Sequence, residues 1–103
     1  MIKLDSGNVL LKPSHRRQFT AWVRRLSRLA QHFGNYFLNF SIQRTGRQYE
    51  LKARFTPAKA HSQAFECRLR QHDYLDGLRE LCRQVTDQLH NQYVRRRLQP
   101  SLA

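Results

Sequence analysis

The residues able to take part in catalysis are few and scattered along this 103-residue chain. Its seven acids are dispersed, mostly among basic residues, whereas acid–base catalysis by paired carboxylates needs two acids that converge in a pocket. The sequence contains no GxSxG nucleophile motif, no glycine-rich phosphate loop and no HExxH metal motif. We therefore predict a protein that is not an enzyme, with no catalytic residue, no cofactor and no small-molecule substrate.

The histidines and cysteines do not indicate a metal site. None of the five histidines lies at a metal-ligand spacing from another histidine or from a cysteine. Zinc sites that pair Cys67 with His72, or Cys82 with His90, are the alternative. The favoured interpretation is that both cysteines are reduced and packed inward as small hydrophobic residues, so no metal is predicted.

Arginine is the residue type that could do chemistry of another kind, the binding of a polyanion. The chain has 19 Lys and Arg residues and a formal net charge of +12, and 15 of these cations are arginine. Residues 14–34 include five arginines and no acid. Arg17, Arg24 and Arg28 recur at helical spacing on one face, flanked by Arg16 and Arg25. Because a merely solvated face would carry acids at i+4, Arg17, Arg24, Arg25 and Arg28 are predicted to bind phosphate.

A second basic group lies nearer the C-terminus. Its members, all predicted to contact RNA, are Arg79, Arg83, Arg95, Arg96 and Arg97. Asp76, Glu80 and Asp87 lie beside the first two, so phosphate binding is less strongly indicated there. Guanidinium makes bidentate contacts to phosphate and stacks on bases, which favours structured RNA as the ligand. No helix-turn-helix pattern is present to indicate sequence-specific DNA binding.

Hydrophobic periodicity predicts the elements that position the first group. Ile2 and Leu4 alternate with polar residues and predict a short strand, which the apolar run 9–11 is expected to extend beyond a turn. Apolar residues then recur on one face of a predicted helix over about 14–33. Ser14 is its candidate cap and Gly34 its end.

Three stretches of period two follow, at residues 36–43, 48–55 and 64–70, and a second helix begins after its predicted cap, Asp73. Trp22 and the phenylalanines are assigned to the core, except Phe37, whose strand phase points it outward. The order β-α-β-β-β-α predicts an α+β fold similar to double-stranded-RNA-binding domains. We expect a mostly antiparallel four-stranded sheet with two helices on one face.

Length and composition favour a single domain. Apolar residues make up 40% of the chain, which is too rich for a disordered basic tail. No stretch approaches the roughly 20 apolar residues of a membrane span, and no signal peptide is recognised, so we expect a cytoplasmic protein with no membrane partner. We assign residues 1–95 to one RNA-binding domain and 96–103 to a basic, flexible tail. The protein is expected to be a monomer when free.

The order of these features resembles a known family over residues 2–95. The matching positions are Ile2-Lys3-Leu4, Gly7-Asn8, Leu10-Leu11, Pro13, Phe19, Val23, Leu26, Asp73-Tyr74-Leu75 and Gln88-Leu89. This pattern is similar to that of the short ribosome hibernation-promoting factors, also called ribosome-associated inhibitors or sigma-54 modulation proteins. In two respects the chain departs from it. Gln84, Asp87 and Asn91 stand where the family's second helix is usually basic, and Gly77 stands where alanine is common.

The resemblance implies a stress-response protein that lies in the mRNA and tRNA channel of the small ribosomal subunit. Its partners would be that subunit and its ribosomal RNA, and it would inhibit translation sterically, with no chemistry. Two alternatives stay open. One is a general binder of structured or double-stranded RNA outside the ribosome, since α-β-β-β-α is the order of double-stranded-RNA-binding domains. The other is a protein-interaction module whose arginine face docks an acidic partner.

Overall fold

In the computed structural model, which describes residues 1–59 and 62–98, the elements follow the predicted order β-α-β-β-β-α. The strands are β1 (Ile2–Asp5), β2 (Tyr36–Thr45), β3 (Gln48–Pro57) and β4 (Phe65–Gln71). The helices are α1 (Pro13–Ala30), which a short 3-10 turn (Gln31–Phe33) continues, and α2 (Tyr74–Leu98). Gly34 ends the turn with a φ of 76°, so the prediction that a glycine terminates this helical segment is confirmed.

The sheet is mixed, with the strand order β1-β2-β3-β4. β1 pairs with β2 in parallel, with Ile2 opposite Leu38, and the other two pairings are antiparallel. The mostly antiparallel sheet is therefore confirmed. A parallel pair needs a crossover connection, and α1 provides it. β2 and β3 form a hairpin, and Gly46 at the first of its two turn residues has the positive φ of 64° that a type II′ turn requires.

The core lies between the two helices and one face of the sheet. The sheet contributes alternate residues of its two central strands, including Leu38, Phe40 and Phe55, each at most 1% exposed. Phe19 of α1 meets Phe40 edge to face, with ring centroids 5.0 Å apart. Among the described residues, those that are buried and not glycine are all apolar. This arrangement confirms that both helices cover the same sheet face.

Two local predictions about the β1–α1 connection are wrong. The run 9–11 does not extend β1, and Leu10 is 95% exposed. A turn forms here because the Gly7 amide donates to Oδ1 of Asp5 (2.9 Å) and the Val9 amide donates to the carbonyl of Ser6 (2.9 Å).

Ser14 is not the N-cap of α1 either. The N-cap is residue 12, whose side chain makes no capping hydrogen bond. Pro13 sets the start of the helix one residue earlier, because its fixed φ suits the first helical position.

The start of α2 is as predicted. Oδ1 of Asp73 accepts hydrogen bonds from the amides of Leu75 (2.8 Å) and Asp76 (3.4 Å). At its other end α2 runs to Leu98, so the backbone of residues 95–97 is helical. Residues 99–103 of the expected tail lie outside the described residues, and the domain boundary at residue 95 stays a prediction. Within the described residues, neither helix has an apolar stretch long enough to cross a membrane.

Candidate nucleic-acid interface

The five arginines of α1 all lie at the protein surface. Arg17, Arg24 and Arg28 form the outermost stripe, and Arg16 and Arg25 lie on its two sides. No acid belongs to α1, and within the described part of the chain no carboxylate forms an ion pair with any of these guanidinium groups. Their positive charge is therefore uncompensated by the protein itself.

An open cavity of about 540 Å³ lies along the first half of α1. Its lining combines short side chains with cationic ones: Pro13, Thr20, Ala21, Arg16, Arg17 and Arg24. Short side chains let a sugar–phosphate backbone approach the helix, while the guanidinium groups around them can bind phosphate in a bidentate way. The arrangement suits a phosphate-bearing chain lying on the helix.

Arg16 lines this cavity, although its helical spacing indicates only a flank of the arginine face. The signal that could have found it is its i,i+4 relation to Thr20, which places both on the same side of the helix. The Thr20 hydroxyl donates to the Arg16 carbonyl (2.9 Å), which turns the polar atom of Thr20 back to the backbone.

The start of α1 adds to the attraction for anions. Its first turn contains no acid, and no side chain caps it. The amides of a first helical turn have no partner within the helix, and the helix dipole makes this end positive. The field at the start of α1 therefore has the same sign as that of Arg16 and Arg17 beside it.

Arg79 of α2 contacts α1 through an aromatic side chain. Its Cζ lies 5.9 Å from the ring centroid of Trp22, over the indole. Trp22 packs against the core as predicted, but it is only partly buried, and its accessible part supports the guanidinium. No pattern in the sequence indicates this stacking.

Arg83 of α2 is in a different electrostatic state. Its Nη1 donates to Oδ2 of Asp87 (2.9 Å), its Nε donates to Oε2 of Glu80 (3.0 Å), and its Nη2 donates to Oε1 of Glu80. The hydrogen bond from Arg83 lowers the pKa of Glu80, and the same contact raises the pKa of Arg83. The charge of Arg83 is thus largely compensated within α2.

Arg95 lies exposed in the last turns of α2. The backbone of Arg96 and Arg97 belongs to the same helix, and their side chains lie outside what the structure describes. The structure therefore places Arg79 against Trp22 of α1, and Arg95 sixteen residues further along α2. Gln84, Asp87 and Asn91 stand at the positions of α2 that are usually basic in the family that the sequence resembles. Gln84 is half-buried, and Asp87 and Asn91 are exposed.

Three contacts between the helices hold this surface together. His15 Nδ1 is hydrogen-bonded to the Tyr74 hydroxyl where the two helices begin, Trp22 meets Arg79 midway, and His32 lies 5.0 Å from Tyr93 between ring centroids near their ends. The first turn of α1 contacts the first turn of α2, and the C-terminal end of one lies beside the C-terminal part of the other. The two helices are therefore parallel. The arginines of both helices are consequently presented on one fixed frame.

The two cysteines are buried away from this surface. Burial raises the pKa of the Cys82 thiol to about 12, and burial together with the charge of Glu66 raises the pKa of Cys67. Both thiols are therefore protonated near neutral pH and packed in the core, as predicted. Within residues 1–59 and 62–98, no three metal-ligating side chains come together.

Two solved structures share this fold. The Thermus thermophilus Protein Y N-terminal domain matches with a TM-score of 0.68 and 12% sequence identity, over 86% of this chain and 93% of that chain. A ribosomal subunit interface protein from Coxiella burnetii matches with a TM-score of 0.69 and 13% identity, over 90% of this chain and 97% of that chain. No protein-family model and no curated protein matches the sequence.

Both neighbours are proteins of the hibernation-promoting factor family. The resemblance to that family is confirmed in the fold. The matched region includes most of the chain, so the topology predicted from periodicity and the topology of these proteins agree. At 12% and 13% identity the match concerns backbone architecture and assigns no side-chain role.

Proposed function

We propose that this protein belongs to the hibernation-promoting factors, binds the small ribosomal subunit and inhibits translation by occupying the channel used by mRNA and tRNA. The observation that carries the proposal is the uncompensated arginine face of α1. It lies on a fold that is also the fold of a ribosomal subunit interface protein. No catalytic residue is needed for this activity.

Ribosomal RNA supplies the negative charge that α1 lacks. Five guanidinium groups that form no ion pair among the described residues repel one another in the free protein, and a dense array of phosphates relieves that repulsion while releasing condensed counterions. Recognition of folded RNA depends on shape and backbone contacts, which suits a rigid surface of two parallel helices. We assign phosphate contacts first to Arg17, Arg24, Arg25 and Arg28, and then to Arg79.

The remaining arginines of the proposed site have lesser roles. Arg83 contributes only when RNA displaces Glu80 and Asp87 from it. Arg95, Arg96 and Arg97 extend the basic surface beyond the two-helix frame. Inhibition is steric, since a domain held in the channel excludes mRNA and tRNA. We expect the protein to act in the cytoplasm, as a monomer, under stress.

Co-sedimentation with purified small subunits tests the proposal. The wild-type chain is expected to pellet with the subunit, and added tRNA should release it. With about six phosphate contacts, affinity should fall about 10³-fold between 50 and 200 mM salt. The double variant Arg24→Glu with Arg28→Glu should lose binding while its far-ultraviolet circular dichroism and melting temperature stay unchanged, because both side chains are exposed.

A matched control separates a site from a general charge effect. Arg44→Glu with Arg47→Glu changes the net charge by the same amount at two exposed positions outside α1 and off the outer sheet face, and it should retain subunit binding. If both double variants lose binding equally, the whole charge of the protein is responsible and the α1 site is wrong.

A generic RNA duplex provides the other arm of the experiment. Equal affinity for the duplex and the subunit, with no competition by tRNA, would replace the proposal by a general double-stranded RNA binder. Absence of binding to either RNA would favour an acidic protein as the partner of the arginine face.

A further inference from the structure

We infer that the outer face of the sheet, opposite the helices, is a second RNA-binding surface that takes a short single-stranded segment and stacks one base on Phe37. The inference goes beyond the proposed function, because it uses the face that α1 and α2 do not cover. It depends on the exposed aromatic, on the cations that flank it and on the groove beside them.

Phe37 is 53% exposed although it belongs to a central strand. Its neighbours along β2, Tyr36 and Leu38, are partly or fully buried on the other face, so alternation places Phe37 outward as predicted. Across the pairing with β3 it stands opposite Thr56, a short side chain. One face of the ring is therefore accessible to a flat ligand.

Two cations lie diagonally across from this ring, one on each neighbouring strand. The strand register places Lys3 of β1 and Arg54 of β3 on either side of Asn39, the next outward residue of β2 after Phe37. Such diagonal neighbours across paired strands are about 7–8 Å apart. A base stacked on Phe37 would have positive charge within one nucleotide's reach on either neighbouring strand.

A groove continues from this point along the sheet. It has a volume of about 420 Å³, and the outward residues that line it are three cations, one acid and two neutral polar residues: Lys3, Lys52, Arg54, Asp5, Asn39 and Ser41. That volume falls within the usual range of about 300–1,000 Å³ for sites that hold small organic ligands. Asn39 and Ser41 offer hydrogen-bonding groups for a sugar or a base edge along its floor.

The charges on this face favour an anion despite the presence of acids. Glu66 is surrounded by three cations, at N–O distances of 3.9 Å to Lys52, 3.6 Å to Arg54 and 2.8 Å to Arg68. The Glu66 side chain is 25% exposed, whereas those of the three cations are 44–65% exposed. One carboxylate therefore holds three cations together, and the charge presented to solvent is positive.

Single-stranded RNA fits these features better than a duplex does. In a duplex the bases are already stacked, whereas an unpaired base gains a partner from an exposed aromatic ring. An electropositive groove that follows the backbone beside such a ring is the usual arrangement in proteins that bind single strands.

Fluorescence anisotropy of the full-length chain with a fluorescein-labelled ten-nucleotide oligouridylate tests the inference. Phe37→Ala should weaken binding about 5- to 150-fold, the range measured for loss of one stacked base. Phe37→Tyr should bind like the wild type, because it keeps the ring. Phe37→Leu should bind like Phe37→Ala, because it keeps apolar area but no aromatic face. All three variants should fold, since the side chain is exposed.

The cations are tested through the salt dependence of the same binding. Lys3→Gln and Arg54→Gln should each lower the slope of log affinity against log salt by about 0.7, the value for one phosphate contact on a single strand. Arg47→Gln, in the β2–β3 turn, makes the same change of charge and should lower this slope less.

Two results would overturn the inference. One is unchanged oligouridylate binding by Phe37→Ala, and the other is wild-type binding by Phe37→Leu, which would indicate apolar contact in place of stacking. Small-subunit binding by Phe37→Ala, measured in parallel, keeps the two proposals apart. If Arg24→Glu with Arg28→Glu fails to affect the subunit while Phe37→Ala weakens the oligonucleotide, only the proposed function fails.

Discussion

The two helices carry arginines of the same type in opposite electrostatic states. On α1 five exposed arginines have no acid in their helix and no ion pair among the described residues. On α2 Arg83 is bound by two carboxylates of its own helix. The difference teaches that the number of arginines on a face does not measure its attraction for RNA. What matters is whether the protein has already compensated their charge.

The largest effect should come from removing matched sets of arginines from the two helices. Arg17, Arg24 and Arg28 changed to Gln should weaken small-subunit binding about 100-fold or more, since hydrogen bonds to charged groups are worth about 1.5–3 kcal/mol each. The slope of log affinity against log salt should fall by about 2–3. The same change at Arg79, Arg83 and Arg95 should lower the affinity only about 10-fold, because Arg83 is compensated.

Equilibrium titrations at several salt concentrations measure both triple variants. Equal losses of affinity and of slope would contradict the distinction between the helices. A larger loss from the α2 set would move the principal site to α2.

The next effect concerns the contact that joins the two helices. Trp22→Ala should lower the free energy of unfolding by about 2–3 kcal/mol, somewhat less than for a fully buried aromatic, because Trp22 is only partly buried. Trp22→Phe should lower the free energy of unfolding by a smaller amount. In a double-mutant cycle with Arg79→Ala, the coupling energy should be about 0.5–1 kcal/mol, the strength of an accessible cation–π pair. Urea unfolding of the four proteins measures it, and a coupling energy near zero would show that the 5.9 Å contact contributes nothing.

A smaller effect is expected at Gly77, where helix propensity and packing oppose each other. Alanine in place of a helical glycine normally stabilises by about 1 kcal/mol. Here a Cβ would lie 2.7 Å from Cδ1 and 3.1 Å from Cδ2 of Leu51, which is fully buried in β3 and has little room to move. We expect Gly77→Ala to destabilise the protein by about 1 kcal/mol, because overpacking outweighs propensity.

Asn91→Ala provides the control for this prediction, since Asn91 is exposed on the same helix. It should stabilise the protein by a few tenths of a kcal/mol through propensity alone. Thermal unfolding of both variants is the measurement, and a stabilised Gly77→Ala would show that Leu51 repacks freely.

The sequence allowed the elements and the α1 face to be predicted because both depend on local spacing. Period-two alternation placed Phe37 outward, and helical spacing placed Arg17, Arg24 and Arg28 together. The β1–α1 connection was predicted wrongly because hydrophobic periodicity does not report on the hydrogen bonds that form its turn, and a contact with a distant strand adds to them. Oδ1 of Asn8 accepts from the amide of Arg44 in β2 (3.0 Å).

The contacts of the α2 arginines also could not be predicted from local spacing. Nearby acids indicated that its charge is mixed, but which arginine they compensate depends on rotamers. The stacking of Arg79 on Trp22 joins residues 57 positions apart. No local spacing reports on such a contact, because it arises only when both helices pack on the sheet.

Releasing Arg83 should convert it from a compensated cation into a phosphate ligand. Glu80→Gln with Asp87→Asn removes both charged partners, so small-subunit affinity should rise a few-fold and the salt slope should increase by about 0.7–0.9. Asp5→Asn with Glu50→Gln gives the same net charge change away from α2 and should raise the affinity less. If the two double variants gain equally, only net charge matters and the compensation of Arg83 is irrelevant to binding.

The smallest effect is a pH dependence of stability that arises from the same pair. The hydrogen bond from Arg83 lowers the pKa of Glu80 in the folded protein below its ordinary value of 4.5. Between the two pKa values the unfolded chain binds more protons than the folded one, so stability rises with pH there. The contribution of the pair is therefore complete above the ordinary pKa and is lost as the pH falls through the lowered one. Because the carboxylate is solvent-exposed, the effect is small.

Urea unfolding should show that wild type exceeds Glu80→Gln in stability by a constant amount near neutral pH, and that the difference shrinks below about pH 4.5. A difference that grows in acid would mean that Glu80 is stabilised in its protonated form, and Arg83 would then be as unpaired as the arginines of α1.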